Sequence, residues 1–291
     1  MRQLLWIVVF VTLAASSVTL RAQVDSVSAW RHPFESFERA KARSERRLSA
    51  PTFTRAVSAS AAAQAYSKID LLDLPEWHDK SDVMKAFTRI RDERFIDWTL
   101  QNPSFPRRAT WLYPDDGCFV RAALASSNLE HWGMSQGLAK IFVFGNLQVK
   151  TANHPKGEVT WWYHVVPGLR IGEQAFALDP AIEPSNPLTI QEWLGAMLKV
   201  SSSSIGSSPI NAIFRPTSLS GDKSKPFDTL RVAICDENTF SPFDDCNGNG
   251  VSLDFDSMVN IQKSFLRSEW QRLVDLKRDA KMELGTLPPW K

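Results

Sequence analysis

The residue best suited to nucleophilic chemistry is Cys118, which follows the turn at 114–117 and opens a helical pattern, CFVRAALASSNLEHW. A helix N-terminus carries partial positive charge and free backbone N–H groups. This position favours the thiolate, the form of cysteine that attacks a carbonyl, and the N–H groups can hold the resulting oxyanion. A free cysteine is also commonly a small, inert core residue, so position alone leaves both interpretations open.

A cysteine nucleophile needs an imidazole to take its proton and a third group to orient that imidazole. His164 lies in the strand pattern WWYHVV, and Asp179 stands at the end of the next strand pattern. Two adjacent antiparallel strands could bring these two side chains together. The alternatives are a buried core histidine and a turn-forming aspartate before proline. The chain order Cys, His, Asp is that of papain-like and transglutaminase-like enzymes.

The elements that would position these residues follow from hydrophobic periodicity and from turn residues. Helices are predicted at 81–98, from Cys118 to a stop at Gly133, at 188–199 and at 256–284. Strands are predicted at 141–147, at 159–166 with an end at Pro167, and at 174–178. Helices followed by an antiparallel sheet predict an α+β fold in which the helix-borne cysteine packs on the sheet.

The N-terminus predicts an exported protein, either periplasmic or extracellular. Arg2 precedes an apolar run at 4–15, followed by small and polar residues, so residues 1–22 read as a signal peptide rather than a membrane anchor. Residues 23–70 are rich in basic residues, serine and alanine and cannot build a core alone. They are either a disordered linker or a removable pro-segment, and residues 71–291 form the main domain. A net charge of +2 offers no argument for a nucleic-acid partner.

The three cysteines divide into a pair and a single residue. Cys235 and Cys246 lie close together in a loop-like stretch and are natural disulfide partners in an oxidising compartment. Cys118 is then unpaired, either buried and inert or reactive and used.

The stretch DCNGNGVSLDFD at 245–256 has the spacing of a calcium loop. The candidate ligands are Asp245, Asn247, Asn249 and Asp256. The alternative is an Asn-Gly turn beside a disulfide. No cofactor is required by the chemistry predicted for Cys118, so calcium would be structural.

Four strings resemble those of bacterial protein-glutaminases, which are secreted protein-glutamine deamidases. They are YPDDGCFVRA (113–122), FVFGNL (142–147), WWYHVV (161–166) and ALDPAI (177–182). The resemblance implies that Cys118, His164 and Asp179 form the catalytic triad. It also implies a transglutaminase-like core and an N-terminal pro-segment that covers the active-site cleft as an intramolecular inhibitor.

The resemblance narrows the expected activity to deamidation of glutamine side chains in proteins or peptides, through a cysteine thioester. Trp161, Trp162 and Tyr163 are candidates for lining the cleft, although strand alternation turns at least one of them into the core. A transglutaminase would pass the same thioester to a lysine amine, and a cysteine protease would cleave the backbone instead. A binding module or pseudoenzyme is the non-enzyme alternative.

Overall fold

The computed structural model describes residues 57–92, 109–198, 227, 229–248 and 255–284. The chain divides into two units, Met1–Thr52 and Phe53–Lys291, and all described residues lie in the second. The helices are α1 (Ala59–Ala62), α2 (Lys80–Asp92), α3 (Cys118–His131), α4 (Ile190–Met197), α5 (Phe255–Asp275) and α6 (Ala280–Leu284). The strands are β1 (Gln64–Ala65), β2 (Ala139–Lys150), β3 (Glu158–Ile171), β4 (Gln174–Ala177), β5 (Leu188–Thr189) and β6 (Arg231–Asp236). No helix in these ranges is long and apolar enough to cross a membrane.

The six strands form one antiparallel sheet in the order β1-β6-β2-β3-β4-β5. Its centre is the long hairpin of β2 and β3, whose sequences are rich in the β-branched and aromatic residues that favour strands. The predicted α+β class is confirmed as a mixed fold with an antiparallel sheet. The more specific transglutaminase-like core stays a prediction.

The two faces of the sheet are covered by different helices. On one face, α2 and α3 pack against Leu169 and Phe176. On the other, α4 packs with Val143 and Val166 in a larger apolar cluster. This alternation follows from the period of two along each strand, which sends neighbouring side chains to opposite faces.

A register shift between β2 and β3 interrupts that alternation close to His164. The pairs on either side of the shift are Phe144 with Tyr163 and Leu147 with Trp161. Gly145 lies within it at φ 151°, a backbone conformation that glycine adopts without strain. A bulge of this kind re-aims side chains locally, so Trp161 and His164 share a face although they are three residues apart.

The prediction that Pro167 ends its strand is wrong, because β3 continues to Ile171. The carbonyl of Pro167 accepts a hydrogen bond from the N–H of Leu178, so its donor-free nitrogen faces the side where β4 has just ended. A proline at that position loses little pairing.

Three further predictions are changed by the structure. The helix predicted from 81 begins at Lys80 and is described as far as Asp92, so 93–98 lie outside the described residues. The single helix predicted at 256–284 is wrong, because it divides into α5 and α6 around Lys277, which has φ 58°. The helix predicted at 188–199 spans Ile190–Met197 and is preceded by β5. Strands β1, β5 and β6 were not predicted.

Candidate active site

Cys118 is the first residue of α3, and Gly117 precedes it with φ 81°. A side chain at Gly117 would be strained by this backbone and would meet Phe265 of α5 at 3.0 Å. The glycine therefore permits both the sharp entry into the helix and the close approach of α5. Cys118 is buried, and it is the only free cysteine among the described residues.

Arg121 holds the turn before Cys118 from one helical turn further along α3. Its Nη1 lies 2.7 Å from the carbonyl oxygen of Asp116 and 3.1 Å from that of Tyr113, to which it donates. The guanidinium is almost fully buried and lies over the ring of Trp111. Sequence reasoning missed this residue, because a basic residue within a helical pattern gives no sign that it folds back onto a preceding loop.

His164 and Asp179 form a buried pair, with Nε2 and Oδ2 2.8 Å apart. Asp179 reaches His164 because β4 runs beside the end of β3, so the chain leaving β4 returns along the strand towards His164. The backbone N–H of Ala181 donates to Oδ1 of Asp179 at 3.1 Å. The structure thus brings together two of the three predicted triad residues by a direct hydrogen bond.

Trp193 of α4 is a second side-chain partner of Asp179 that sequence reasoning missed. Its Nε1–H donates to Oδ2 of Asp179 at 2.9 Å, and its ring centroid is 5.8 Å from that of His164. The helix that carries it begins with a capping box between Thr189 and Glu192. The capping-box pattern is visible in the sequence, but no local feature of the sequence indicates that Trp193 contacts Asp179.

The protonation of His164 is set by opposing effects. Burial acts to lower the pKa of His164, but the charge of Asp179, the hydrogen bond to it and the interaction with Cys118 together raise it to about 9. Burial likewise acts to raise the pKa of Asp179, yet its contacts with His164 and Trp193 hold it below its ordinary value. The pair is therefore imidazolium and carboxylate at neutral pH.

The other ring nitrogen of His164, Nδ1, is buried and has no hydrogen-bond partner within the described residues. Because Nε2 is engaged by Asp179, Nδ1 is the nitrogen available to exchange a proton with Cys118 or with a substrate. Cys118 lies close enough to affect the titration of His164. The three residues together can activate a thiol and move a proton.

The three predicted cleft residues have different surroundings. Trp161 is buried and stacks on His164, with centroids 4.6 Å apart, and its Nε1–H donates to the carbonyl of Pro114 at 2.8 Å. Trp161 thereby links the histidine strand to the turn before the cysteine. Trp162 is partly exposed and stacks with Phe243, whereas Tyr163 is buried and interacts with Cys118.

The predicted disulfide between Cys235 and Cys246 is present, with a Cα–Cα separation of 4.6 Å. It closes a loop whose Phe240 packs edge-on against Phe119, the residue after Cys118, at 5.2 Å between centroids. The loop thus lies beside the start of α3.

The structure gives the predicted calcium ligand Asp245 another role. Its Oδ1 accepts the backbone N–H of Asn247 at 3.1 Å, which is the geometry of an Asx turn. Asn249 and the side chain of Asp256 lie outside the described residues. Within the described part, no group of three or more His, Cys, Asp or Glu side chains could hold a metal ion. The calcium loop stays a prediction.

Comparisons with known proteins give low-identity similarities. The chain is similar to a crystal structure of protein-glutaminase at 21% identity, covering 67% of this chain and 90% of that one, with a TM-score of 0.42. The NMR structure of protein-glutaminase from Chryseobacterium proteolyticum matches at 20% identity, covering 65% and 84%, with a TM-score of 0.39. A crystal structure of pro-protein-glutaminase matches at 18% identity, covering 81% and 68%, with a TM-score of 0.42.

A search of curated proteins found no match. Residues 83–197, which include Cys118, His164 and Asp179, match a family model described as Glutaminase. The predicted resemblance to protein-glutaminases is therefore confirmed, and residues 83–197 carry the sequence pattern of the glutaminase family.

Proposed function

We propose that this chain is a protein-glutamine deamidase that uses Cys118 as its nucleophile. The observation that carries the proposal is the buried His164–Asp179 pair beside a helix-borne cysteine, within the stretch that matches the glutaminase family. A structural histidine would need neither an orienting carboxylate nor a nearby thiol.

In the proposed reaction, the thiolate of Cys118 attacks the side-chain amide carbon of a glutamine and forms a tetrahedral oxyanion. Backbone N–H groups at the start of α3 are suited to stabilise this charge. The imidazolium of His164 gives its proton to the amide nitrogen and the C–N bond breaks. Ammonia departs, and a thioester remains on Cys118.

Water then resolves the thioester. Nδ1 of His164, now neutral, takes a proton from the attacking water, and collapse of the second tetrahedral intermediate breaks the C–S bond. The products are glutamate and free Cys118. Asp179 holds the imidazole in one orientation throughout and stabilises its charged form.

The proposal includes export and control by the N-terminal segment. Residues 1–22 serve as a signal peptide that directs the protein to the periplasm or beyond. A pro-segment within residues 23–70 restrains the enzyme until it is removed. The substrates are proteins or peptides that present glutamine, and the reaction needs no cofactor.

The test compares the wild-type chain with Cys118→Ala on a glutamine-containing protein, before and after limited proteolysis. Ammonia release should fall by about 1,000-fold or more in Cys118→Ala. Ser126→Ala, a buried change further along α3, is the matched control and should keep activity. Retention of ammonia release by Cys118→Ala would refute the proposal.

The same assay separates the alternative activities. With a primary amine present, a deamidase should leave the amine unincorporated and the backbone intact. Amine incorporation or crosslinked bands would indicate a transglutaminase, and backbone cleavage would indicate a protease. Slow labelling of Cys118 by an alkylating reagent at neutral pH, together with no ammonia release, would indicate a pseudoenzyme.

A further inference from the structure

The start of the described chain is joined to the disulfide loop by backbone hydrogen bonds. We call residues 57–77 the N-terminal strap, and residues 236–246 the disulfide loop. The N–H of Ala59 donates to the carbonyl of Asp244 at 3.1 Å, and the N–H of Ser60 donates to that of Pro242 at 2.9 Å. In return, the N–H of Cys246 donates to the carbonyl of Val57 at 3.0 Å.

The strap also completes the sheet. Strand β1 pairs with β6 through Gln64 with Val232 and Ala65 with Arg231. The side chain of Arg231 turns back and donates from Nε to the carbonyl of Ala63 at 3.0 Å. Without the strap, the edge of β6 would expose unpaired backbone groups beside a buried core.

The strap contributes buried side chains to that core. Ala59, Ala63, Tyr66 and Leu74 are each at most 4% exposed. The ring of Tyr66 packs edge-on against Phe227, with centroids 5.5 Å apart. Removal of these side chains would expose the apolar surface that they cover, so the strap is packed as part of the folded body.

The strap supports the active site in part through the disulfide loop. In the loop, Phe240 contacts Phe119 beside Cys118, and Phe243 stacks on Trp162 at 5.9 Å. Strand β1 itself is separated by β6 and β2 from β3, the strand of His164. The paired part of the strap is thus a support rather than a cover of the candidate nucleophile.

We propose that proteolytic processing removes the chain N-terminal to Val57 and that the strap remains in the mature enzyme. This rests on the zymogen part of the proposed function and moves the processing boundary out of residues 57–70. The consequence is that loss of the strap disorders the disulfide loop and lowers activity instead of raising it.

Trypsin offers a direct test, because Arg55 precedes the strap and Lys68 is the one basic residue within positions 57–70. Lys68 is exposed, so accessibility does not protect it, but local unfolding is required before a protease can cut an ordered segment. The full-length chain is digested for increasing times, purified by size exclusion, and its N-terminus is read by intact mass. Ammonia release is measured on the same fractions.

We expect a resistant product whose first residue precedes Val57, and ammonia release should rise as this product forms. Lys68→Gln should give the same product, whereas Arg231→Met, which loses the bond to Ala63, should be cut after Lys68 several-fold faster. A product that starts at Ile69 and is at least as active would overturn the proposal, as would degradation without a resistant product. The mass readout does not need activity, so failure of the deamidase proposal would leave this boundary measurable.

Discussion

The phenol of Tyr163 is placed to interact with Cys118 directly. Tyr163 precedes His164 on β3, is buried, and packs against Phe144 across the hairpin. Burial raises the pKa of Tyr163 well above 10.0, and the charges of Cys118 and Asp116 act in the same direction. The hydroxyl therefore stays neutral and can donate a hydrogen bond to the thiolate or to an oxyanion formed on it.

Replacing Tyr163 with phenylalanine tests this role. We expect the midpoint of the pH profile for alkylation of Cys118 to move to higher pH, because the thiolate loses a donor. Ammonia release should fall by about 10- to 100-fold, the effect of one hydrogen bond to a charged group. Tyr66→Phe, at the β1 edge, is the matched control and should leave the profile in place. An unchanged alkylation profile in Tyr163→Phe would show that the hydroxyl does not act on the sulfur.

At the scale of elements, α5 fixes the loop that leads into Cys118. The amide of Gln262 donates to Oγ1 of Thr110, and the N–H of Leu112 donates to Oε1 of Glu269, both at 2.8 Å. Gln262 and Glu269 are fully buried. Burying a polar side chain costs free energy unless it is hydrogen-bonded. These two bonds therefore tie α5 to the loop that leads into Cys118.

The most direct of these links is the ion pair of Arg272 with Asp115, whose Nη1 and Oδ2 are 2.6 Å apart. Arg272 also donates to the carbonyl of Asn153 at 3.1 Å and lies over the ring of Tyr113. His154 approaches the other oxygen of Asp115 at 3.5 Å. The β2–β3 hairpin, α5 and the turn before Cys118 therefore meet at Asp115.

Arg272→Met should misplace the start of α3. We expect kcat/KM to fall by about 10- to 100-fold, because small displacements of a nucleophile are costly. The matched control is Arg278→Met, because Arg278 also bonds Asn153, at Oδ1, and forms its ion pair with Glu283. Both variants should lower Tm, but only Arg272→Met should lose activity. Equal kinetic losses would mean that the effect is general destabilisation.

At the scale of the whole molecule, the sequence predicted what local patterns encode. The helix that starts at Cys118 and the strands around His164 and Asp179 follow from hydrophobic periodicity and turn residues within about ten positions. The order of those two strands made a His164–Asp179 contact a specific expectation, and the structure contains it.

The features that were missed depend on distant partners. Strand β1 is two residues long and exists only because β6 lies beside it. Arg272 and Asp115 are 157 positions apart, and nothing near either residue indicates the other. The bulge that puts Trp161 and His164 on one face arises from the pairing of two strands, which neither sequence alone determines.

Two buried titratable groups oppose each other in the pH dependence of stability. The pKa of His164 is raised to about 9 from 6.5, so its stabilising contribution is fully present below pH 6.5 and is lost as the pH rises through about 9. Burial lowers the pKa of Lys140 on β2 to about 7 from 10.5, despite nearby acidic residues. The unfolded chain then binds more protons between pH 7 and 10.5, so this residue makes stability rise with pH there.

Because the two effects overlap between pH 7 and 9, the free energy of unfolding of the wild-type chain should change little across that range. His164→Gln leaves only the lysine effect, so its stability should rise by about 2 kcal/mol, and Lys140→Met should show a fall of similar size. Urea unfolding at pH 7, 8 and 9 measures all three, and Lys281→Met, an exposed lysine, should follow the wild type. Parallel profiles for Lys140→Met and the wild type would show that Lys140 carries no such opposing effect.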